Sequence, residues 1–238
     1  MKAPDGNKLA ILNALNQGGF VSGQALGETL GISRAAVSKH IKTLQEMGLD
    51  IFKVTGKGYC LNSQVGLLNK TQIDQHYKAL GDNTANVEVH PIIDSTNSEL
   101  MRRIQAKTAL ESGTVIVAEM QQAGRGRRGR VWQSPFGANL YYSYFWRLDD
   151  GLQAAMGVSI AVGLAVYDAI KALYQVDVEL KWPNDIYINK QKLAGVLVEL
   201  DGQPQGPCQL VIGIGINLQM PESFSQHIDQ AWTDLNQH

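Results

Sequence analysis

Apolar positions in the first sixty or so residues recur at helical spacing. From Asn7 to Gln17, Leu9, Ile11, Leu12 and Leu15 form one approximate helical face, and Gly18-Gly19 ends it. Ser22 to Leu30 predicts a second short helix with Ala25, Leu26 and Leu30 inward. Gly31-Ile32-Ser33 reads as a tight turn. Ser33 then caps a third helix whose apolar stripe is Val37, Ile41 and Leu44, with Gly48 past its end. Two short strands follow, Ile51 to Val54 and Tyr59 to Leu61, around Thr55-Gly56-Lys57-Gly58. Three helices and a hairpin in this span describe a winged helix-turn-helix.

The pattern then changes. Residues 63–85 are polar and mixed, and read as a linker with one short helix from Thr71 to Leu80. Beyond it, strands are expected at Val87 to Val89, Thr114 to Met120, Asn139 to Trp146, Val176 to Trp182, Asp185 to Ile188, Leu193 to Leu200 and Gln209 to Ile216. Helices are expected from a Ser95 or Thr96 cap to about Lys107, and from Gln153 to Tyr174. One long helix among many hairpin-connected strands predicts an α+β domain with a mixed sheet, not a doubly wound one. The expected division is 1–62 for the winged helix-turn-helix, 63–85 for the linker and 86–238 for a catalytic domain. The chain carries no internal repeat and no low-complexity segment.

Charge sharpens this division. The net charge is −1, which excludes a generally basic nucleic-acid coat. Residues 1–61 nevertheless hold 7 basic and 4 acidic side chains, net +3, against net −4 for the remainder. On the third helix, the apolar stripe leaves Arg34, Ala35, Ser38, Lys39 and Lys42 outward, just after Ser33. Such residues bind phosphates and base edges in the major groove, and Lys53 and Lys57 on the wing would add phosphate contacts. A helical unit for protein contacts is the alternative; the Gly-Ile-Ser turn and the local positive charge favour DNA. Cys60 and Cys208 are far apart in sequence and suggest neither a disulfide framework nor a zinc ribbon. No apolar run reaches ~18 residues and the first residues are polar, so neither a membrane span nor a signal peptide is expected, and the location reads as cytoplasmic.

Four constellations carry candidate chemistry. Gly124-Arg125-Gly126-Arg127-Arg128-Gly129-Arg130 puts four arginines and three glycines directly after a buried strand. The glycines let backbone N–H groups converge on an anion while the arginines supply fixed charge. The loop is neither a Walker A loop nor a Rossmann fingerprint, because Val131-Trp132 reads as a strand where a helix should open. A solvated arginine-glycine loop is the plain alternative. In Lys181-Trp182-Pro183-Asn184-Asp185 a lysine closes an apolar strand, where burial would demand an anion partner; a surface hairpin with a snorkelling lysine fits equally. Gly213-Ile214-Gly215-Ile216-Asn217 is a buried strand that a ligand could approach closely, or a bulged core strand. Asp94-Ser95-Thr96-Asn97 is a helix cap or a ligand site. No nucleophilic triad emerges, and the five histidines lack metal-ligand spacing, so no protein-bound metal is expected. Arginines, a lysine and glycines together suit phosphoryl or adenylyl transfer by positioning and electrostatics.

Taken together, these residues closely resemble the bacterial family of bifunctional biotin–protein ligases and biotin operon repressors. The resemblance rests on Ser95-Thr96-Asn97, on Gln121-Gln122-Ala123 leading into the glycine-arginine run, on Lys181-Trp182-Pro183-Asn184-Asp185, on Lys192-Leu193-Ala194-Gly195, on Gly213 to Asn217, and on Ser33 to His40 in the N-terminal unit. It implies activation of biotin by ATP, with Mg²⁺ screening the pyrophosphate, to biotinyl-5′-adenylate. Transfer to one lysine of a biotin carboxyl carrier protein follows. By the same resemblance Ser95, Thr96, Asn97, Gln121 and Gly195 would bind biotin. Arg125, Gly126 and Arg127 would close over it, and Lys181 would bridge its carboxylate and the α-phosphate. Arg130, Trp132 and Asn217 would serve the nucleotide. Arg127 and Lys181 are thus the expected catalytic pair. The resemblance also implies a homodimer that forms when biotinyl-adenylate is bound and represses at operator DNA. Members of the family continue past the position of His238 with more helix and a small β-barrel, so the chain is expected to lack that C-terminal domain. Two other functions fit the same motifs: a ligand-sensing transcription factor without turnover, and a ligase whose N-terminal domain does not regulate.

Overall fold

The computed structural model describes residues 6–81, 86–149, 154–202 and 206–238. Helices α1 (Gly6–Asn16), α2 (Gly23–Leu30) and α3 (Arg34–Glu46) precede a two-stranded antiparallel wing of β1 (Ile51–Val54) and β2 (Gly58–Leu61). The expected apolar stripes close the core of this unit: Ile11, Leu12, Leu15, Leu26, Val37, Ile41 and Leu44 are all buried. The Ser22 and Ser33 hydroxyls accept the N–H groups of Ala25 and Ala36, capping α2 and α3.

After α4 (Lys70–Ala79), a seven-stranded mixed sheet is built from β3 (Asn86–His90), β4 (Thr114–Ala118), β5 (Asn139–Leu148), β6 (Glu179–Lys181), β7 (Asp185–Ile188), β8 (Gln191–Gly202) and β9 (Cys208–Asn217). Its order is β3-β4-β5-β9-β8-β7-β6, with β3 and β4 parallel and every other neighbour antiparallel. Two helices cover opposite faces. α5 (Thr96–Gln105) packs through Leu100 and Ile104 on Phe145 and Val211, while α6 (Val158–Tyr174) packs through Val166 and Ile170 near Ile186, Ile188 and Leu193. Because side chains alternate across a strand, the α5 face presents Tyr141, Ser143 and Phe145 of β5, Val211, Gly213 and Gly215 of β9, and Gly195, Leu197 and Glu199 of β8.

Several expectations are corrected. Val131-Trp132 is not a strand: one bridge joins Arg125 to Val131, and Arg127–Gly129 forms a 3₁₀ turn between them. The strand expected over Val176 to Trp182 contracts to the exposed strand β6, whose outer side no strand pairs among the described residues. Lys181 is therefore exposed rather than closing a buried strand. The long helix begins at Val158 after a 3₁₀ turn at Ala154–Gly157, and Gln153 lies outside the described residues. β9 runs in unbroken register, and the irregularity falls at Ile186/Tyr187 instead.

The connection between the two units is docked rather than free; its residues 82–85 lie outside the described ones. Asn16 clamps Val65 through both polar atoms of its amide, at 2.8 Å each. The Phe136 N–H donates to the Met47 carbonyl (2.9 Å), and Phe136 and Met120 join the core of the helical unit. The Leu68 N–H donates to the buried carboxyl of Glu119 (2.5 Å), whose pKa burial pushes up to about 7.

Candidate functional site

A cleft opens on the α5 face of the sheet, beside the N-terminus of α5 and beneath the glycine-arginine loop. Its lining brings together Ser95, Thr96, Asn97, Gln121, Arg125, Gly126, Arg127, Arg130, Trp132 and Gly195, drawn from segments up to a hundred residues apart.

One end of the cleft is a run of neutral hydrogen bonds. Ser95, Thr96 and Asn97 are buried at the start of α5. The Ser95 hydroxyl caps the helix by accepting the Ser98 N–H. Asp94 accepts the Ser95 N–H at 2.7 Å and is paired with Arg102, whose guanidinium holds the Asp94 carboxyl below its ordinary range. Ser143, fully buried in β5, stands 2.5 Å from Asn97 Oδ1 and 2.7 Å from Thr96 Oγ1. A hydroxyl has one proton and an amide oxygen only accepts, so Ser143 donates to Asn97 and leaves its oxygen to accept from Thr96. The Thr96 N–H donates to Gln121 Oε1 (2.9 Å). Gln121 Nε2 donates to Ser134 Oγ (3.2 Å), which in turn donates to the Trp132 carbonyl (2.9 Å). At the far end Asn97 Nδ2 donates to the Glu199 carboxylate (2.9 Å).

The glycines of β9 are explained by what lies over them. A Cβ on Gly213 would stand 2.2 Å from Asn97 Oδ1, and one on Gly215 would stand 2.5 Å from the Trp132 ring. The Trp132 indole thus rests on a floor of Gly215 and its cross-strand partner Gly195, with Lys192 Nζ 5.5 Å from the ring centroid.

The other end is charged. Hydrogen bonds from Gly126 N–H to the Arg130 carbonyl (2.7 Å) and from Trp132 N–H to the Gly124 carbonyl (2.9 Å) close the loop into a narrow turn. Arg125 pairs with Glu199 at 2.9 Å. Arg127, Arg128 and Arg130 line the cleft, and among the described residues their side chains have no partner. Uncompensated guanidinium groups on a curled backbone are suited to phosphate or carboxylate oxygens. Two buried polar atoms at the cleft, Trp132 Nε1 and Asn184 Oδ1, also lack a partner among the described residues, as is common where a ligand supplies it.

Two expected site residues are not brought to this cleft. The Lys181 ammonium lies 4.7 Å from the centroid of the Tyr187 ring, one turn away from Asn184 and Asp185, which do line it. The lysine at the cleft is Lys192, half-buried and paired with Asp185 at 2.9 Å. Asn217 lines an adjoining cavity that also reaches Arg130 and Trp132, and its buried amide donates to the Thr233 carbonyl (3.0 Å). Sequence reasoning missed Ser143, Glu199 and the role of Lys192. A lone serine in the aromatic run of β5 was the available signal for the first; the period-2 spacing from Gly195 was the signal for the second.

On the N-terminal unit, Ser33, Arg34, Ala35, Ser38 and Lys39 are exposed on one side of α3. Lys53 and Lys57 stand on the wing over the rings of Tyr59 and Phe20, at 5.8 Å and 5.5 Å. Among the described residues no group of three His, Cys, Asp or Glu side chains could hold a metal ion, and no helix is long and apolar enough to cross a membrane.

A winged helix-turn-helix joined to a mixed-sheet domain, with an anion loop over a glycine floor, defines a class: a small-molecule-activating enzyme domain that carries its own DNA-binding unit. The pattern of the biotin/lipoate A/B protein ligase family matches residues 89–217, and that of a helix-turn-helix domain matches residues 7–60. The bifunctional ligase/repressor BirA of Escherichia coli is 48% identical over 230 residues, 96% of this chain and 69% of the relative. That of Bacillus subtilis is 34% identical over 232 residues, 95% of this chain and 70% of the relative. A biotin protein ligase from Aquifex aeolicus, solved in complex with biotin and ATP, superposes with a TM-score of 0.51 at 30% identity, over 64% of this chain and 60% of that one. The chain belongs to the biotin/lipoate protein ligase family, among its bifunctional ligase/repressors. It is a biotin ligase with a repressor-type DNA-binding domain.

Proposed function

We propose that the cleft binds biotin at its neutral end and ATP at its charged end, and joins them. Ser95, Thr96, Asn97 and Gln121 hold the ureido head group, whose N–H and C=O groups match a row of neutral donors and acceptors. Gly195, which lines the same cleft, lets the Trp132 ring lie close against the sheet beside the bound biotin. A carboxylate oxygen of biotin attacks the α-phosphorus of ATP; the bond from that phosphorus to the bridging oxygen breaks, and pyrophosphate leaves. Lys181, turning from Tyr187 toward the cleft, neutralises the carboxylate and the α-phosphate. Arg125, Gly126 and Arg127 cover the resulting biotinyl-5′-adenylate, Arg130 takes phosphate oxygens, Trp132 packs on the adenine, and Asn217 stands beside the nucleotide. Magnesium enters with its substrate as MgATP, bound by phosphate oxygens. A lysine amine of a biotin carboxyl carrier protein then attacks the acyl carbon and AMP leaves.

The observation that carries this reading is the three arginines without a partner among the described residues, facing a partnered neutral cluster across one glycine floor. The test is pyrophosphate release by the whole chain. It should require biotin and ATP together; release with ATP alone, or none with both, contradicts the reading.

The division at 1–62, 63–85 and 86–238 belongs to the same proposal, as does a cytoplasmic location. Biotinyl-adenylate acts as corepressor by favouring a homodimer, because one winged unit reads one half-site and two must be related by the operator's symmetry axis. Gel-shift titrations should show operator binding tightened by biotin plus ATP more than by either alone, and Arg34→Ala should weaken it without changing pyrophosphate release. Equal affinity under all conditions contradicts the regulatory role.

A further inference from the structure

One carboxylate joins the two ends of the cleft, and neither the family resemblance nor the biotin-ligase reading gives it a part. Glu199 projects from β8 on the same face as Gly195, four residues along. A single oxygen, Oε2, accepts both Asn97 Nδ2 and the Arg125 guanidinium, each at 2.9 Å. Asn97 is buried, whereas Arg125 sits at the start of the glycine-arginine loop with 42% of its side chain exposed. Toward the head-group end, a carboxylate only accepts, so it fixes which way the Asn97 amide points: nitrogen to Glu199, oxygen to Ser143. Toward the loop, it engages Arg125, the one arginine of the four with a side-chain partner among the described residues.

We propose that Glu199 is a positioning residue that latches the glycine-arginine loop over the cleft through Arg125 and, through the same oxygen, sets the Asn97 amide at the head-group end. The proposal rests on the reading of the cleft as a biotin-activating site, but the latch itself is made by protein groups alone. A closed loop obstructs both directions of traffic. The pair must open for biotin to enter and again for the activated intermediate to escape, so Glu199 slows both. Retention of a reactive mixed anhydride until a carrier lysine arrives is the benefit. A partly exposed ion pair contributes modestly, so the effect on loop opening is several-fold.

The experiment uses the whole chain and two variants, Glu199→Gln and Glu199→Asp. Loop opening is read by tryptic cleavage after Arg127, Arg128 and Arg130, without added biotin. Glu199→Gln should be cut there roughly fivefold faster and Glu199→Asp should lie between, at an unchanged unfolding midpoint. In rapid mixing, Glu199→Gln, whose amide oxygen still accepts from Asn97 while the charge facing Arg125 is lost, should accelerate both biotin association and release of preformed biotinyl-adenylate by similar factors. A merely damaged site would quicken release and slow association, and that outcome overturns the proposal, as does unchanged cleavage. If Glu199→Gln does not fold, Arg125→Gln breaks the same pair from the loop side and should show the same acceleration; its absence is equally fatal. If the natural chain binds no biotin, the biotin-activating reading fails, while the cleavage comparison still decides the latch.

Discussion

The two ends of the cleft are built on opposite principles. At one end, hydrogen bonds run without a gap from Glu199 through Asn97, Ser143, Thr96, Gln121 and Ser134 to the Trp132 carbonyl. At the loop end, Arg127, Arg128 and Arg130 face the cleft with no partner among the described residues. A satisfied, buried network holds its atoms in one geometry, so it can discriminate a neutral ligand by the penalty of leaving a group unpaired. An uncompensated cluster of guanidinium groups has little shape selectivity but a strong demand for anionic oxygens. In the proposed reading, selectivity for the acid and affinity for the phosphates are separated in space, and the reacting bond lies where they meet.

Removing the lysine proposed to turn from Tyr187 into the cleft should have the largest effect. Lys181→Gln is expected to cut adenylate formation at least ~100-fold, because developing charge loses its cation. Lys192→Gln, whose lysine is committed to Asp185, should cost far less. Single-turnover pyrophosphate release separates them, and the reverse order would transfer the role to Lys192. Breaking the neutral end comes next. Thr96→Val removes the hydroxyl between Ser143 and Gln121 and should weaken biotin roughly 30-fold while leaving ATP affinity within about twofold, by calorimetry. An equal loss for both ligands would erase the distinction between the ends.

Glu119, two residues ahead of Gln121, sharpens the comparison from behind. Its buried carboxyl titrates at about 7 in the folded chain against 4.5 as an ordinary glutamate. As pH rises from about 4.5 to about 7 the unfolded chain gives up this proton first. Stability is therefore full below that window, falls through it and levels off above. Glu119→Gln keeps an acceptor for the Leu68 N–H and should remove this dependence, giving about 2 kcal/mol of added stability at pH 8 and little at pH 4.5 in urea titrations. A pH profile unchanged by the substitution would show that Glu119 is ionised without penalty. The smallest effect belongs to a single arginine at the loop end: Arg130→Gln should raise the KM for ATP about fivefold and leave that for biotin unaltered.

Local pattern made the N-terminal unit legible: the stripe of Val37, Ile41 and Leu44 and the Ser33 cap depend only on neighbours in sequence. The glycine-arginine loop and Ser95-Thr96-Asn97 were legible as chemistry for a similar reason, since charge and glycine content are visible residue by residue. Placement in the sheet was not. Lys181 follows an apolar run that reads as a buried strand, but among the described residues β6 pairs only with β7, and its residues are exposed. Ser143 and Glu199 gain their meaning from strand order, which sets β5, β9 and β8 side by side through pairings between residues distant in sequence. Trp132, read as part of a strand, is positioned by Gly195 and Gly215, each on a different strand.

The separation of a neutral end from a charged one is tested most directly by salt. ATP and biotin methyl ester, which keeps the head group but has no charge, are titrated separately into the whole chain at 50 and 300 mM salt, as are both into Thr96→Val. Screening should weaken ATP about tenfold over this range and leave the ester within about twofold, with Thr96→Val lowering only the ester's affinity. Equal salt dependence for the two ligands, or an ATP affinity indifferent to salt, would contradict the account.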